Sequence, residues 1–300
     1  MLIKKAIIPA AGYGPRLLPI TKILPKPLVP LLQKPTLMCI IEELISAGIQ
    51  EALVIVGWKE ELVKEFFEHV ENELTDWLKQ RGATEILESV QSPVKGEITL
   101  QYRKQEVLNG LGGAILLGEN FVNDHPFVVP LGDNIIIERK KGSLIRDMIS
   151  IHNSFNADVT LCVAPVPAEQ VSRFGVIGVK EESKLNGIRV LEVDDLKEKP
   201  KIEDAPSNLA IVGRYILSPI ALKYLKEAPL IHGEISETDA FKNMINDGKK
   251  VVAVEIGNRR WYDVGSPDGY VKAMIEIALT EYKNKEKIKI WLENLLSKYY

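Results

Sequence analysis

Two glycines and three cations, crowded between residues 12 and 26, are the first residues whose types suggest chemistry. Gly12 and Gly14 follow a short apolar run, Ala6 to Ile8, as a buried strand would empty into a loop that brings backbone close to a ligand. Arg16, Lys22 and Lys26 come next, in a segment whose prolines (Pro15, Pro19, Pro25, Pro27 and Pro30) forbid a continuous helix. Backbone N–H groups beside fixed cations suit a polyphosphate; Gly-x-Gly after a strand is also an ordinary tight turn. Leu17 stands where a dinucleotide fingerprint needs its third glycine, and no Gly-Lys-Ser/Thr follows, so neither that template nor a P-loop applies. Asp133 closes the apolar run Phe127–Leu131, and Asp263 repeats the arrangement in Trp261-Tyr-Asp-Val-Gly. Both could be turn aspartates. Together they could also hold one Mg²⁺, an ion that takes one or two carboxylates plus substrate phosphates.

These residues need a scaffold, and strand-like and helix-like segments alternate from the start. Thr36 to Ala47 carries apolar residues at helical spacing with Gly48 as its stop, Glu51 to Val56 is a buried strand, and Lys59 to His69 is a second amphipathic helix. This β-α-β-α order predicts a mainly parallel sheet covered on both faces, with ligands at the carboxyl ends of the strands. Glu71 to Val90 reads as an inserted pair of short helices, followed by strand Ile98–Tyr102, helix Gly112–Leu117 and strand Phe127–Leu131. From Ala157 the texture is β-rich: Ala157–Val166, a hairpin near Phe174–Val179, Ile188–Val193 and Leu209–Leu217. Helices Pro219–Lys226 and Glu237–Asp247, strand Val251–Ile256 and helices Pro267–Thr280 and Lys285–Ser297 complete the chain.

Three hundred residues approach the upper size of one hydrophobic core. A net charge of -3 gives no general attraction to nucleic acid or to an anionic membrane, so the basic loop is a local feature. Cys39 and Cys162 sit far apart in apolar surroundings, as buried free thiols of a reducing compartment do. The first apolar run stops at Pro9 and no window approaches a membrane span, so a cytoplasmic location is expected. His69, His125, His152 and His232 lack ligand spacing, and Trp58, Trp77 and Trp291 are read as packing residues.

The run from Pro9 to Pro30, Pro-Ala-Ala-Gly-x-Gly-x-Arg-Leu-x-Pro-x-Thr-Lys-x-x-Pro-Lys-Pro-Leu-x-Pro, resembles the opening loop of the sugar-phosphate nucleotidyltransferases, which join a nucleoside triphosphate to a sugar 1-phosphate. The resemblance extends from Lys4 to about Leu279. It implies that Ala10, Ala11, Gly12 and Gly14 wrap the nucleotide, that Arg16 neutralises the triphosphate, and that Lys26 holds phosphate at the reacting centre. Asp133 and Asp263 match the family's metal-binding aspartates, and Gln105 and Gly110 keep the spacing of its base-contacting pair. A glutamine amide can read a pyrimidine edge, whereas without the resemblance Gln105 would be an exposed polar loop residue. Phe174-Gly175-Val176-Ile177 and Glu198-Lys199-Pro200 resemble the sugar site: Gly175 and Glu198 take hydroxyls, and Lys199 takes the sugar phosphate and is counted with Arg16 and Lys26 as catalytic. Taken alone, the first is a hairpin and the second part of a solvated charge run, Asp194–Lys201.

Leu87-Glu-Ser-Val-Gln91, the block Ala205–Leu217 and Gly233-Glu-Ile-x-x-Thr-Asp-Ala240 resemble the uridylyl branch more than the thymidylyl branch. The fold class implied is α/β, Rossmann-like, with residues 1–135 mainly binding nucleotide, 136–265 mainly binding sugar phosphate and 266–300 forming C-terminal helices of a single domain. The implied reaction joins UTP to glucose 1-phosphate with Mg²⁺; transfer from dTTP, or from both nucleotides, and a nucleotide-sugar-binding chain without activity are the alternatives. Two departures stand out. Pro15 replaces a usual threonine and loses a hydroxyl and an N–H, worth about 1–3 kcal/mol if nothing replaces them, and Gly113 replaces a common histidine. Apolar residues on the last two helices (Met274, Ile277 and Ala278; Ile288, Trp291, Leu292 and Leu295) fit either a homo-oligomer contact, dimer or tetramer, or a core role.

Overall fold

The computed structural model describes residues 2–68, 72–90, 94 and 96–299. His69, Glu71 and Gln91, at the margins of the expected helices and insertion, lie outside the described residues. Its β-branched runs assemble into a nine-stranded sheet in the order Thr99–Lys104, Glu51–Val56, Lys5–Ala10, Phe127–Pro130, Leu209–Leu217, Val159–Pro165, Val251–Glu255, Ile188–Glu198 and Gly175–Leu185. The first four strands are parallel to one another, and Val251–Glu255 is parallel to Val159–Pro165. Leu209–Leu217 and Ile188–Glu198 run against their neighbours and make the sheet mixed.

Successive residues of the first strand serve opposite faces. Ala6 and Ile8 pack into a cluster with Leu37, Ile41 and Leu44 of helix Thr36–Ala47 and Leu144 and Met148 of helix Ser143–Ser154. Ile7 packs into the other, with Ile115, Leu222, Leu225, Phe241 and Met244. Helices therefore cover both faces and leave the loops at the strand ends to make the site. Among the described residues, no helix is long and apolar enough to cross a membrane.

Helix Thr36–Ala47 stops at Gly48 (φ 89°), and Glu51–Val56 and Leu209–Leu217 have the bounds expected of them. Residues between Asp133 and Ala157 carry structure that the sequence reading leaves unassigned: strand Asn134–Ile137, which pairs with Arg260–Asp263, and helix Ser143–Ser154. The hairpin is long rather than confined near Phe174–Val179; its arms are Gly175–Leu185 and Ile188–Glu198, joined at Asn186 and Gly187, both at positive φ. Glu198 is thus the last ladder residue, opposite Gly175, and with Lys199 it stays exposed to solvent. Trp77 and Trp291 are 49% and 58% exposed, which corrects their reading as packing residues; Trp77 lies on a surface helix with the Arg81 guanidinium 4.4 Å from its ring. Of the two closing helices, Pro267–Thr280 buries Ala273 and Ile277 and so serves the core, whereas Lys285–Tyr299 buries nothing.

An ion pair inside the molecule fixes the sheet to its helical layer. Arg214, 0% exposed, donates from Nε and Nη2 to the two oxygens of Glu43 at 3.1 and 2.7 Å, and from Nη2 to the Asn134 carbonyl at 2.9 Å. Helix Thr36–Ala47, strand Leu209–Leu217 and the start of the Asn134–Ile137 strand are held at one point, one residue from Asp133.

Candidate active site

Four of the charged residues singled out from sequence meet at the carboxyl ends of Lys5–Ala10 and Phe127–Pro130. The first strand runs into three single turns of 3-10 helix, Pro15–Leu17, Ile20–Lys22 and Lys26–Leu28, because its prolines permit nothing longer. Gly14 is left-handed (φ 64°), its carbonyl accepts from the buried Thr21 Oγ1 at 2.9 Å, and a Cβ there would meet the Lys26 side chain at 3.2 Å. The loop is therefore folded back so that Lys26 donates to Asp133 Oδ2 and Arg16 donates to Asp263 Oδ2 at 3.0 Å.

The two aspartates are neighbours. Asp263 ends the strand paired with Asn134–Ile137, and the Val264 N–H donates to the Asp133 carbonyl at 2.9 Å. A side chain at Gly265 would meet Lys26 Nζ at 2.7 Å and Asp133 Oδ2 at 2.8 Å, so this loop needs glycine to close over the pair. Burial by itself would raise the Asp133 pKa; the Lys26 ammonium, the Asn134 amide (Nδ2 to Oδ1, 2.9 Å) and Arg16 outweigh it and hold the carboxyl below its ordinary value. It stays ionised at neutral pH. Two carboxylates side by side are oxygen donors of the kind a divalent cation takes. No cluster of three or more His, Cys, Asp or Glu side chains capable of holding a metal occurs among the described residues, so an ion here needs further oxygens from a ligand.

On one side of this centre a cleft of about 400 Å³ is lined by Tyr13, Gly57, Trp58, Lys104, Gln105 and Leu108. Ala10 ends the first strand, the buried Ala11 follows, and Gly57 packs on the Ala11 carbonyl so tightly that no Cβ would fit. Gln105 is 6% exposed, which removes the reading of it as a loose surface residue. Its N–H donates to the Val56 carbonyl and its Nε2 donates to Asn109 Oδ1 at 2.9 Å and the Gly110 carbonyl at 3.2 Å. Gly110 (φ 84°) begins helix Gly110–Leu116, so its N–H lies among the helix donors that no carbonyl of that helix satisfies. Gly12 has open space around its Cα.

On the other side lie Gly175, Glu198 and Lys199. Glu198 Oε2 accepts from Thr238 Oγ1 at 3.0 Å, Glu198 Oε1 lies 3.1 Å from Lys199 Nζ, and the Lys199 N–H donates to the Phe174 carbonyl at 3.0 Å. Lys199 itself is at φ 44°, a turn that throws its side chain, 64% exposed, out of the hairpin. Phe174 meets Trp261, two residues before Asp263, edge to face with centroids 5.3 Å apart. Strand Leu209–Leu217 runs between the halves, pairing through Arg214 with Pro130 and through Ala210 with Val176. Thr238 is the N2 residue of helix Glu237–Asn246, and at its start Glu237 is pushed up to about 7 by burial, with neighbouring Glu198 adding to the rise.

The family model described as nucleotidyl transferase matches residues 5–279. The chain belongs to the nucleotidyl transferase family. It is 38% identical over 296 residues to a UTP–glucose-1-phosphate uridylyltransferase of Streptococcus pneumoniae, covering 98% of this chain and 96% of that one. A UTP-bound UGPase from Acinetobacter baumannii superposes with a TM-score of 0.88 at 30% identity, over 98% of this chain and all of the other (100%). A UDP-glucose pyrophosphorylase complexed with UDP-glucose superposes with a TM-score of 0.77 at 34% identity, over 91% and 97% of the two chains.

Sequence reasoning passed over several residues that this nucleotidyl transferase uses to hold the others. Asn134 fixes Asp133, Thr238 fixes Glu198, Asn109 fixes Gln105, and Arg214 with Glu43 anchors the strand between them. Thr238 had a signal in Gly233-Glu-Ile-x-x-Thr, and Arg214 had one as a lone charge within an apolar strand. Cys39 and Cys162 are free thiols that burial pushes up, Cys39 to about 11, and Cys39 is half-buried rather than fully enclosed.

Proposed function

We propose that this chain makes UDP-glucose and pyrophosphate from UTP and glucose 1-phosphate, by attack of a glucose 1-phosphate oxygen on the α-phosphorus of UTP, in line with the departing pyrophosphate. One observation carries the reading: Arg16, Lys26, Asp133 and Asp263 converge between the Gln105 cleft and the Glu198 site. The similarity to proteins described as UTP-bound and as complexed with UDP-glucose supports the choice of substrates.

In this reading Gln105 and Gly110 take the base, Ala10, Ala11, Gly12 and Gly14 lie along the nucleotide, and Gly175 and Glu198 take sugar hydroxyls. Glu198, oriented by Thr238, accepts from adjacent hydroxyls, and Lys199 supplies a point charge to the sugar phosphate. Arg16 and Lys26, each held by an aspartate, are pre-positioned cations, so little reorganisation is needed when phosphate oxygens arrive. Asp133 and Asp263 would hold a divalent ion, Mg²⁺ in this proposal, which when bound neutralises charge on the phosphate oxygens. Both substrates are anions, and holding them together is most of the catalytic task. No covalent intermediate is required. A homo-oligomer is part of the proposal, with the apolar face Ile288, Trp291, Leu292 and Leu295 of the last helix, which buries none of its residues, as its contact; light scattering reads its size.

The test is pyrophosphate release by the purified chain with Mg²⁺, UTP or dTTP, and a panel of hexose 1-phosphates. Fastest release is expected with UTP and glucose 1-phosphate. Preference for dTTP would move the chain to thymidylyl transfer, and no release with any pair would leave a binding protein.

A further inference from the structure

The acceptor that pins the Gln105 amide comes from a residue outside the assigned site. Gln105 Nε2 has two hydrogens, and the structure uses both inside the protein: one goes to Asn109 Oδ1 at 2.9 Å, the other to the Gly110 carbonyl at 3.2 Å. The nitrogen end of the amide is thereby turned away from ligand, and Oε1 accepts no hydrogen bond among the described residues. Asn109 can reach Gln105 because Gly113, one helical turn on, has no side chain. A Cβ at Gly113 would overlap Oδ1, Cγ and Nδ2 of Asn109, so any other residue there evicts the amide. The backbone of Asn109 is fixed independently, its carbonyl accepting from the Ile235 N–H at 2.8 Å, and Gly110 packs so closely on Glu234 that a Cβ there would meet the Glu234 Cβ at 2.7 Å, too near to fit.

We infer that Asn109 and Gly113 are positioning residues that set nucleobase selectivity by holding Gln105 with its carbonyl toward the base. The inference rests on the reading of Gln105 as a base contact. At the ring nitrogen between the two functional groups of a pyrimidine, uracil and thymine carry an N–H and cytosine carries a lone pair. A fixed Oε1 accepts from the first two and repels the third. Turned by 180°, the same amide would offer an N–H to cytosine; the turn forfeits the bonds to Asn109 and Gly110. Asn109 thus biases the glutamine against cytosine without touching the nucleotide, and it does not distinguish UTP from dTTP.

The experiment compares kcat/KM for UTP, CTP and dTTP, with glucose 1-phosphate and Mg²⁺, in the wild type, Asn109→Ala, Asn109→Asp and Gly113→Ala. Asparagine to alanine removes one of two anchoring bonds, so the UTP-over-CTP ratio is expected to fall about ten-fold. Gly113→Ala should match it, in a variant whose helix is otherwise strengthened. Asn109→Asp keeps the acceptor oxygen and should retain the wild-type ratio, and the dTTP-over-UTP ratio should stay constant throughout. An unchanged UTP-over-CTP ratio in Asn109→Ala and Gly113→Ala, with UTP turnover intact, would overturn the inference and leave the proposed function standing. Equal losses for all three nucleotides would assign Asn109 a structural role only. A wild type that turns over none of them would instead overturn the proposed function.

Discussion

Replacing Arg214 by methionine tests the feature on which the geometry of the acidic centre depends. The guanidinium is wholly enclosed, and its removal strands the Glu43 carboxylate, whose side chain is 6% exposed, without its bidentate partner. The Asn134 carbonyl loses the Arg214 donor at the same time, whereas the Gly213 carbonyl keeps the Leu131 N–H at 2.8 Å. Breaking a buried pair by deleting one member costs about 3–5 kcal/mol, because an uncompensated charge remains in a dry interior. Against a typical total of roughly 5–15 kcal/mol, that is a large fraction of stability. At roughly 2 °C per kcal/mol for a chain of this size, the melting temperature should fall by about 6–10 °C. Glu43→Leu should cost a similar amount, and the Arg214→Met, Glu43→Leu double variant should recover most of the loss, since two apolar side chains leave no charge behind. Differential scanning calorimetry of the four proteins reads this directly. A drop of less than 2 °C in either single variant, or a double variant whose loss equals the sum of the singles, would refute the reasoning. Below its melting temperature Arg214→Met should still lose turnover, since the Asn134 carbonyl held by Arg214 adjoins Asp133.

Acid stability should carry the signature of His152, which burial holds at about 4, well below its usual range, between Thr160 Oγ1 at 2.9 Å and Ser218 Oγ at 3.3 Å. The folded state then binds fewer protons than the unfolded one between pH 6.5 and 4, so stability is full above that window and falls as pH drops through it. The loss amounts to about 3 kcal/mol, and urea titrations across the window should show it shrink in His152→Gln. Pro15 begins a 3-10 turn at a position whose N–H would have no partner within the turn, so Pro15→Thr should fold normally and restore two donors toward the phosphates. The KM for UTP is expected to fall by about five-fold or more in that variant, up to about 150-fold if nothing else replaces the lost donors, and an unchanged KM would show that the loop already replaces them. Thr238→Val removes the hydroxyl that orients Glu198, and it should raise the KM for glucose 1-phosphate several-fold while leaving the KM for UTP alone.

The loop from Gly12 to Lys26 and the two aspartates were legible because their chemistry is written in contiguous residues: small residues, prolines and cations at fixed spacing leave few conformations. Helix Ser143–Ser154 was equally legible and was passed over, with Leu144, Ile145, Met148 and Ile151 at helical spacing on its buried face. The hairpin register could have been read from Asn186-Gly187, a turn pair that folds two arms back on each other and so sets Glu198 against Gly175. Other features had no local signal. Glu43 and Arg214 are 171 residues apart, and nothing near either announces the other. Trp77 and Trp291 look like core residues by type alone, yet the helices that carry them lie on the surface and do not enclose them. The burial of Gln105 follows from its contact with Asn109 and Gly110, which depends on how the chain turns into a helix rather than on what Gln105 is.

The direct check on the acidic centre is the rate of pyrophosphate release from UTP and glucose 1-phosphate by Asp133→Asn and by Asp263→Asn, with melting curves to show that both remain folded. If the two carboxylates jointly seat the ion that neutralises the transferring phosphate, each variant should lose at least about a hundred-fold in kcat, and added Mg²⁺ should not restore it. Near-normal turnover in either variant would contradict that assignment.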